Sequence, residues 1–261
     1  MLRIQKESVF LLGLSLSLGA CNVHAMTICI ENQDSPPLSY VAPHPPGHAQ
    51  ILINEAAKNL NISIAMVFKP WKQCQLLVGN GTYDALFAAA YAGINVQLVE
   101  FPKISIGVPD RSKAIGTMKI YLIRRKGSNA DYVGGSFVNL NAPVGINSGY
   151  QLSMVEVTKG GALFDNGTSV PEQQAQKLIF GRTDLVASDV AFIRLVNERY
   201  MDKLEVLPSI LTEAVYYLAF ASKYYKAHKN EVETYWNEIA KVSNSAPYKA
   251  KIETSDGIVK P

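Results

Sequence analysis

The chain has 261 residues, with 25 Lys and Arg against 22 Asp and Glu, for a formal charge of +3. So small a charge excludes a dedicated nucleic-acid binder, which concentrates a basic face. The short run Arg124-Arg125-Lys126 reads instead as a solvated strand end.

The N-terminus reads as an export signal. Arg3 and Lys6 form a basic head, and residues 9–18 are apolar apart from Gly13, Ser15 and Ser17. That run falls short of the ~20 residues of a bilayer-spanning helix and matches the apolar region of a signal peptide. Val23 and Ala25 place small residues before a cut at Met26, making 1–25 the leader. A competing reading takes Leu18-Gly19-Ala20-Cys21 as a lipobox, with Cys21 acylated as an anchor. Both readings send the chain to the periplasm. The remainder suits one large domain or two small ones with real cores.

Strand and helix signals then alternate along the chain. Residues 27–31 read as a short strand. Ile53, Ala56, Ala57 and Leu60 form one apolar face of a helix over 50–60. Residues 62–68 are β-branched and apolar, a strand. A short helix over 71–78 ends near Gly79 and Gly81, and 84–90 is a strand again. A long strand over 119–125 leads into a different stretch of chain. The second series has a strand at 143–146, a helix over 151–158, a helix over 172–180, a strand at 184–187 and a helix over 190–201. Strands at 204–207 and 215–221 follow, and an amphipathic helix over 223–242 closes the chain. Such alternation implies parallel sheets covered on both faces.

One unit occurs twice. A helix, a glycine stop, an Asp and an apolar strand run from Gln75 through Gly81 and Asp84 to Ala88. The same order runs from Gln176 through Gly181 and Asp184 to Ser188. Glycine ends each helix in the left-handed conformation. The repeat suggests two lobes built on one helix–turn–strand unit.

In an oxidising compartment Cys29 and Cys74 have two alternatives, a disulfide or two separate buried thiols. Neither has the His or carboxylate company of a metal ligand. Catalytic signatures are sparse. Gly145-Ile146-Asn147-Ser148-Gly149 has the wrong spacing for a nucleophile elbow. His44-Pro45-Pro46-Gly47-His48 reads as a solvated turn. No phosphate loop or dinucleotide fingerprint occurs.

The order of several short segments resembles the family 3 extracytoplasmic solute-binding proteins, which include polar amino-acid receptors. The first half contributes Ser35-Pro36-Pro37-Leu38-Ser39-Tyr40, Lys69-Pro70-Trp71-Lys72-Gln73-Cys74, Gly81 with Asp84-Ala85, and Phe101-Pro102. The second contributes Val144-Gly145-Ile146-Asn147-Ser148-Gly149-Tyr150, Gly181-Arg182 with Asp184, Ser188-Asp189, and Tyr216-Tyr217-Leu218-Ala219-Phe220.

The resemblance implies an α/β, two-lobed type II periplasmic-binding-protein fold. Each lobe has a mainly parallel sheet flanked by helices, and two crossing strands join the lobes. Residues 26–118 plus 219–261 would form lobe 1, and 119–218 an inserted lobe 2. It also supports a Cys29–Cys74 bridge. The implied function is capture of a small polar or amphipathic, amino-acid-like molecule for an ABC-type transporter of the inner membrane. The protein would act as a monomer without cofactor, metal, nucleic acid or catalysis. Alternatives on this fold are a sensor or accessory protein acting through a protein partner, and a periplasmic dehydratase-like enzyme. The enzyme would draw its acid or base from Glu31, Asp34 or Asp189.

Ligands of such a fold sit in a cleft at the C-terminal ends of parallel strands. The expected contacts are Asp34 and Tyr40 from segment 32–40, Trp71, Ala89 and Tyr91 from segment 88–91, and Asn95. The second lobe adds Asn147, Ser148, Tyr150 and Asp189. Trp71 offers a flat apolar wall, with core packing as its alternative. The amides of Asn147, Ser148 and Gly149 before a helix offer an anion cradle, with a plain N-cap by Ser148 as theirs. Asp189 falls where the family meets a ligand ammonium. Asp84 reads as structural. Two departures stand out. Asn95 falls where amino-acid receptors carry an Arg that grips the ligand carboxylate, and Ala88, Ala89 and Ala90 replace small hydroxyls. The implied ligand is therefore less charged or more apolar than an α-amino acid, or the site is vestigial.

Overall fold

The computed structural model of the protein describes residues 25–256, with side chains through 252. The leader, its cleavage site and Cys21 lie outside the described residues.

In chain order, β1 (Met26–Glu31), α1 (His48–Asn59), β2 (Ile64–Lys69), α2 (Trp71–Gly79) and β3 (Ala85–Ala90) come first. The short α3 (Asn95–Leu98) and β4 (Val99–Glu100) follow. A small hairpin then pairs β5 (Lys103–Ser105) with β6 (Val108–Pro109). After β7 (Gly116–Arg125), a second hairpin pairs β8 (Asp131–Val133) with β9 (Ser136–Val138). The next elements are β10 (Val144–Asn147), α4 (Gln151–Lys159), β11 (Phe164–Thr168), α5 (Pro171–Ile179), β12 (Leu185–Ser188) and α6 (Val190–Leu195). Last come β13 (Leu204–Ala221), α7 (Ser222–Ala227), α8 (Lys229–Ser243) and α9 (Ala246–Asp256).

The main sheet has the order β11-β10-β12-β7-β13-β3-β1-β2, with β4 beside β13. At one end β1, β2 and β3 pair parallel, and at the other β10, β11 and β12 do. Between them β7 and β13 run antiparallel to each other, β13 pairing antiparallel with β3 of the first set and β7 antiparallel with β12 of the second. The two parallel sets are the sheets of the two lobes, and β7 and β13 are the crossing strands.

The sequence signals at 204–207 and 215–221 belong to one 18-residue strand, β13. Its first part pairs β7, and from Tyr216 it pairs β3. Pro208 has no N–H to give the ladder, and the register shifts between Val206 and Ile210 around it. That interruption makes one strand read as two. Likewise the helix expected over 223–242 is two helices, parted at His228. The helix expected over 190–201 ends at Leu195 and continues as a π-helical turn over Val196–Tyr200. β11 gave no strand signal because Phe164-Asp165-Asn166-Gly167-Thr168 is a polar edge strand paired only with β10.

α8 covers the first lobe. The Tyr235 hydroxyl donates to the Ile53 carbonyl at 2.8 Å, and Trp236 Nε1 donates to the Leu218 carbonyl at 2.7 Å. These bonds satisfy the polar ends of two buried aromatics. Cys29 and Cys74 form a disulfide with Cα atoms 5.4 Å apart, tying β1 to α2.

Candidate functional site

The end of β1, the start of α2 and the end of β3 meet the N-terminal turn of α4 around a cavity of about 60 Å³. Its walls are mostly apolar: Ile30, Leu38, Trp71, Phe87, Met118 and Leu152. Polar groups enter from Glu31, Ser35, Ser39, Asn95, Gln151, Ser153, Tyr150 and Tyr216.

The wall from β3 owes its shape to a bulge. The pairing of β13 with β3 shifts so that Phe87 and Ala88 together face Leu218. Ala88 takes φ +53°, a conformation that L-residues other than Gly adopt at a cost. The bulge breaks the in–out alternation of the strand. Phe87, Ala88 and Ala90 line the cavity, while Ala89 points into the core beside Val99 and Tyr217.

A latch joins the lobes beside this wall. Trp71 Nε1 donates to the Gly149 carbonyl at 3.0 Å. Gln75 Nε2 donates to the same carbonyl at 3.2 Å and to Asn95 Oδ1 at 2.8 Å. Asn95 Nδ2 in turn donates to the Ala90 carbonyl at 3.1 Å. The rings of Trp71 and Tyr150 meet edge to face at 6.4 Å. Gly149 has φ +85°, and a Cβ there would lie 2.8 Å from Gln75 Oε1 and 3.0 Å from Trp71 Cδ1. Close approach and positive φ both require glycine. A further bond runs from Gln33 Nε2 to the Ser169 carbonyl at 3.0 Å. The lobes are therefore closed on each other in this structure.

The buried polar groups form an acidic cluster. The Tyr150 hydroxyl donates to Glu31 Oε2 at 2.8 Å across the interlobe gap. Burial pushes the Glu31 carboxyl up to about 7. The Tyr150 bond opposes that shift and the charge of Asp189 adds to it. Burial also raises Asp189, although it caps α6 through a 2.9 Å bond from the Ala191 N–H to Oδ1. Tyr150 and Tyr216 are raised first by burial and then by the charges of Glu31 and Asp189. These four groups form one electrostatic unit, since Glu31, Tyr150 and Tyr216 all feel the charge of Asp189.

Of the residues expected from the sequence, Trp71, Asn95 and Tyr150 line the cavity. The Asn95 amide, however, is engaged by Gln75 and Ala90. Asp189 stands behind Tyr150 and Glu31 as a charge and does not line the wall. The others are placed elsewhere. Ala89 is turned into the core by the bulge. Tyr91 packs edge to face on Phe101 at 5.1 Å. Asp34 staples its own loop, accepting from the Val41 N–H at 2.7 Å, with His44 Nε2 at 3.7 Å. Tyr40 is held by its backbone to Gln50. The Asn147 carbonyl accepts from the Tyr150 N–H. The Ser148 N–H donates to Ser169 Oγ at 3.2 Å, so that amide of the expected cradle is taken. Residues of the first turn of α4, Gln151 to Ser153, line the cavity in its place.

Sequence reasoning weighed Glu31 only as an acid or base and passed over Gln75. An acidic residue ending a buried parallel strand was the available signal for Glu31. Nothing local marks Gln75, because its partners are brought by the fold.

No protein-family model matches the chain, and no curated protein sequence matches it. Solved structures do match. A histidine kinase sensor domain with similarity to periplasmic binding proteins gives a TM-score of 0.66 at 13% identity, covering 88% of this chain and 95% of that one. The arginine-, lysine-, histidine-binding protein ArtJ from Geobacillus stearothermophilus gives 0.65 at 14% identity, covering 91% and 97%. The GluR0 ligand-binding core from Nostoc punctiforme, solved with L-glutamate, gives 0.60 at 12% identity, covering 86% and 96%. These likenesses show the fold: the chain has the two-lobed architecture of the periplasmic binding proteins.

Proposed function

We propose that the protein is an exported, periplasmic solute-binding protein that closes its lobes on a small amphipathic molecule without catalysing its conversion. The observation that carries this reading is the cavity itself, apolar-walled and flanked by the latch onto Gly149, with a buried polar cluster at one side. Such a pocket between lobes is the usual form of a small-molecule site. The names of similar structures point the same way, since ArtJ binds basic amino acids and the GluR0 core was solved with glutamate.

On this reading residues 26–118 with 219–261 form one lobe and 119–218 the other, with β7 and β13 as the hinge. Bound solute biases an open–closed equilibrium, as any ligand that prefers one state must. An ABC-type transporter then takes the closed form. The likeness to a histidine kinase sensor domain supports a second reading, in which the closed form is read by a signalling partner.

A thermal-shift screen of purified protein, unfolded and refolded to strip carried-over solute, tests the proposal. A solute at ~100 times its Kd adds roughly 2.7 kcal/mol to stability. At least one hit is expected among amines, amino acids, organic acids and short peptides. No shift with any of them, from folded protein, would remove the solute-binding reading.

A further inference from the structure

We infer that the solute is an amine cation with an apolar body and no carboxylate, its ammonium group seated against the carboxylate of Glu31 and within the field of Asp189. This rests on the proposed solute-binding role and names the chemical class that the cavity takes.

Charge in the wall points one way. Glu31 lines the cavity, and no Lys, Arg or His does among the described residues. Asn95, whose amide is held by Gln75 and Ala90, brings no charge. A solute carboxylate would be buried without a cation beside it and in the field of Glu31 and Asp189, an arrangement that costs several kcal/mol. The N-terminus of α4 favours an anion. The acidic group already placed there is Glu31, bonded to Tyr150 at the N-cap of α4. An ammonium reverses this balance. It neutralises a buried carboxylate and donates hydrogen bonds to Glu31 and to the hydroxyl oxygens of Tyr150 and Tyr216. Leu38, Trp71, Phe87 and Met118 then cover an alkyl or aryl body, and the Trp71 ring adds an aromatic face for the cation.

Proton linkage follows from the same cluster. The groups that act on Glu31 are Tyr150 at the N-cap of α4 and Asp189 at the N-cap of α6, and Glu31 in turn acts on Tyr216 of β13. Arg194 on α6 acts on Asp189. Lys69, the register partner of Glu31 on β2, and Lys72 on α2 do not line the cavity. With its carboxyl pushed up to about 7, Glu31 in the empty cavity is about half protonated at neutrality and mostly protonated below it. An entering ammonium expels that proton to solvent, so affinity falls about tenfold per pH unit below that point.

Titration calorimetry on matched probes tests the inference: 2-phenylethylamine, L-phenylalanine and 3-phenylpropionate, and isoamylamine beside L-leucine. The amines are expected to bind at least about tenfold more tightly than the amino acids of the same side chain. They are also expected to bind about tenfold more tightly at pH 8 than at pH 6. Glu31→Gln is expected to weaken amine binding about a hundredfold at pH 8, the scale of a lost buried charge partner. Should that variant misfold, the pH series on the native chain tests the same carboxylate, since amine affinity there must fall as Glu31 takes up its proton. Binding of L-phenylalanine, L-leucine or 3-phenylpropionate as tight as that of the amines would overturn the inference and leave the solute-binding role standing. Amine affinity indifferent to pH and to Glu31 would do the same. Silence from every probe, together with silence in the thermal-shift screen, would remove both.

Discussion

The segment from Trp71 to Ala90 and the segment from Pro171 to Ser188 are built alike and put to different uses. Each is a helix stopped by a glycine at positive φ, Gly81 at +77° and Gly181 at +71°. In each an Asp then ties the turn to a neighbouring strand start. Asp84 Oδ2 accepts from the Thr27 N–H, and Asp184 Oδ2 accepts from the N–H groups of Asn141 and Ala142. In each a buried strand follows. The difference lies in where the polar side chains lead. In the second segment Gln174 turns inward to the carbonyls of Ile146 and Thr168, and Asp184 pairs with Arg125. Those contacts stay within one lobe. In the first, Trp71 and Gln75 reach across to Gly149, and the strand ends in the Ala88 bulge. A shared local unit supplies the scaffold, and a few side chains turn one copy toward the cleft.

Breaking the disulfide separates the two copies most strongly. It staples α2 to β1 across a 45-residue span, whereas α5 has no such bond. Loop entropy assigns about 4 kcal/mol to it. Cys74→Ser is expected to cost up to that amount. Both tryptophans, Trp71 and Trp236, lie in the first lobe's cores, so their fluorescence should change at lower denaturant than far-UV dichroism. Coincident transitions at the native midpoint would show that the bond does little.

Glu31→Gln comes next. A carboxyl raised from 4.5 to about 7 stabilises the fold while protonated and loses that stability as pH rises through 7. Removing the charge should therefore raise the stability of the unliganded protein by about 3 kcal/mol at pH 8 and by little at pH 4. Melting temperatures across pH read this directly, and equal curves for both proteins would show that Glu31 stays solvated.

Asp184→Asn sharpens the contrast within the second copy. Despite its burial, bonds from Asn141, Ala142 and Arg125 hold this carboxyl below its usual range. Its stabilisation is thus present above about 3.8 and lost in acid. The substitution should cost about 2 kcal/mol at neutral pH, with solute affinity unchanged. A loss of affinity would mean that the two copies are coupled.

The smallest expected effect is Trp71→Phe, which keeps the apolar wall and deletes one bond between lobes. It should favour the open form by about 1 kcal/mol, visible as a larger radius of gyration in solution scattering. An unchanged radius and affinity would place closure on Gln75 and Gln33 instead.

Much of the architecture was legible in the amino-acid order, since periodicity and glycine stops are local properties. Alternating strands and helices, the repeated unit and the end-of-strand position of Trp71 and Tyr150 all follow from neighbours in sequence. β13 was read as two strands because Pro208 interrupts its ladder, while its continuity depends on partners in both lobes. The site was legible in part for the same reason. Trp71, Asn95 and Tyr150 stand beside strand ends, and strand ends meet in the cleft. Ala89, Tyr91, Asp34 and Tyr40 stand there too, yet a bulge, an aromatic neighbour and local staples turn them away. The bond between Glu31 and Tyr150 joins residues 119 positions apart. No local pattern encodes such a pair, because only closure of the lobes removes both groups from water and makes each the other's partner. The sequence by itself determined the elements and their alternation, and the tertiary structure decided which side chains face the cavity and in which charge state.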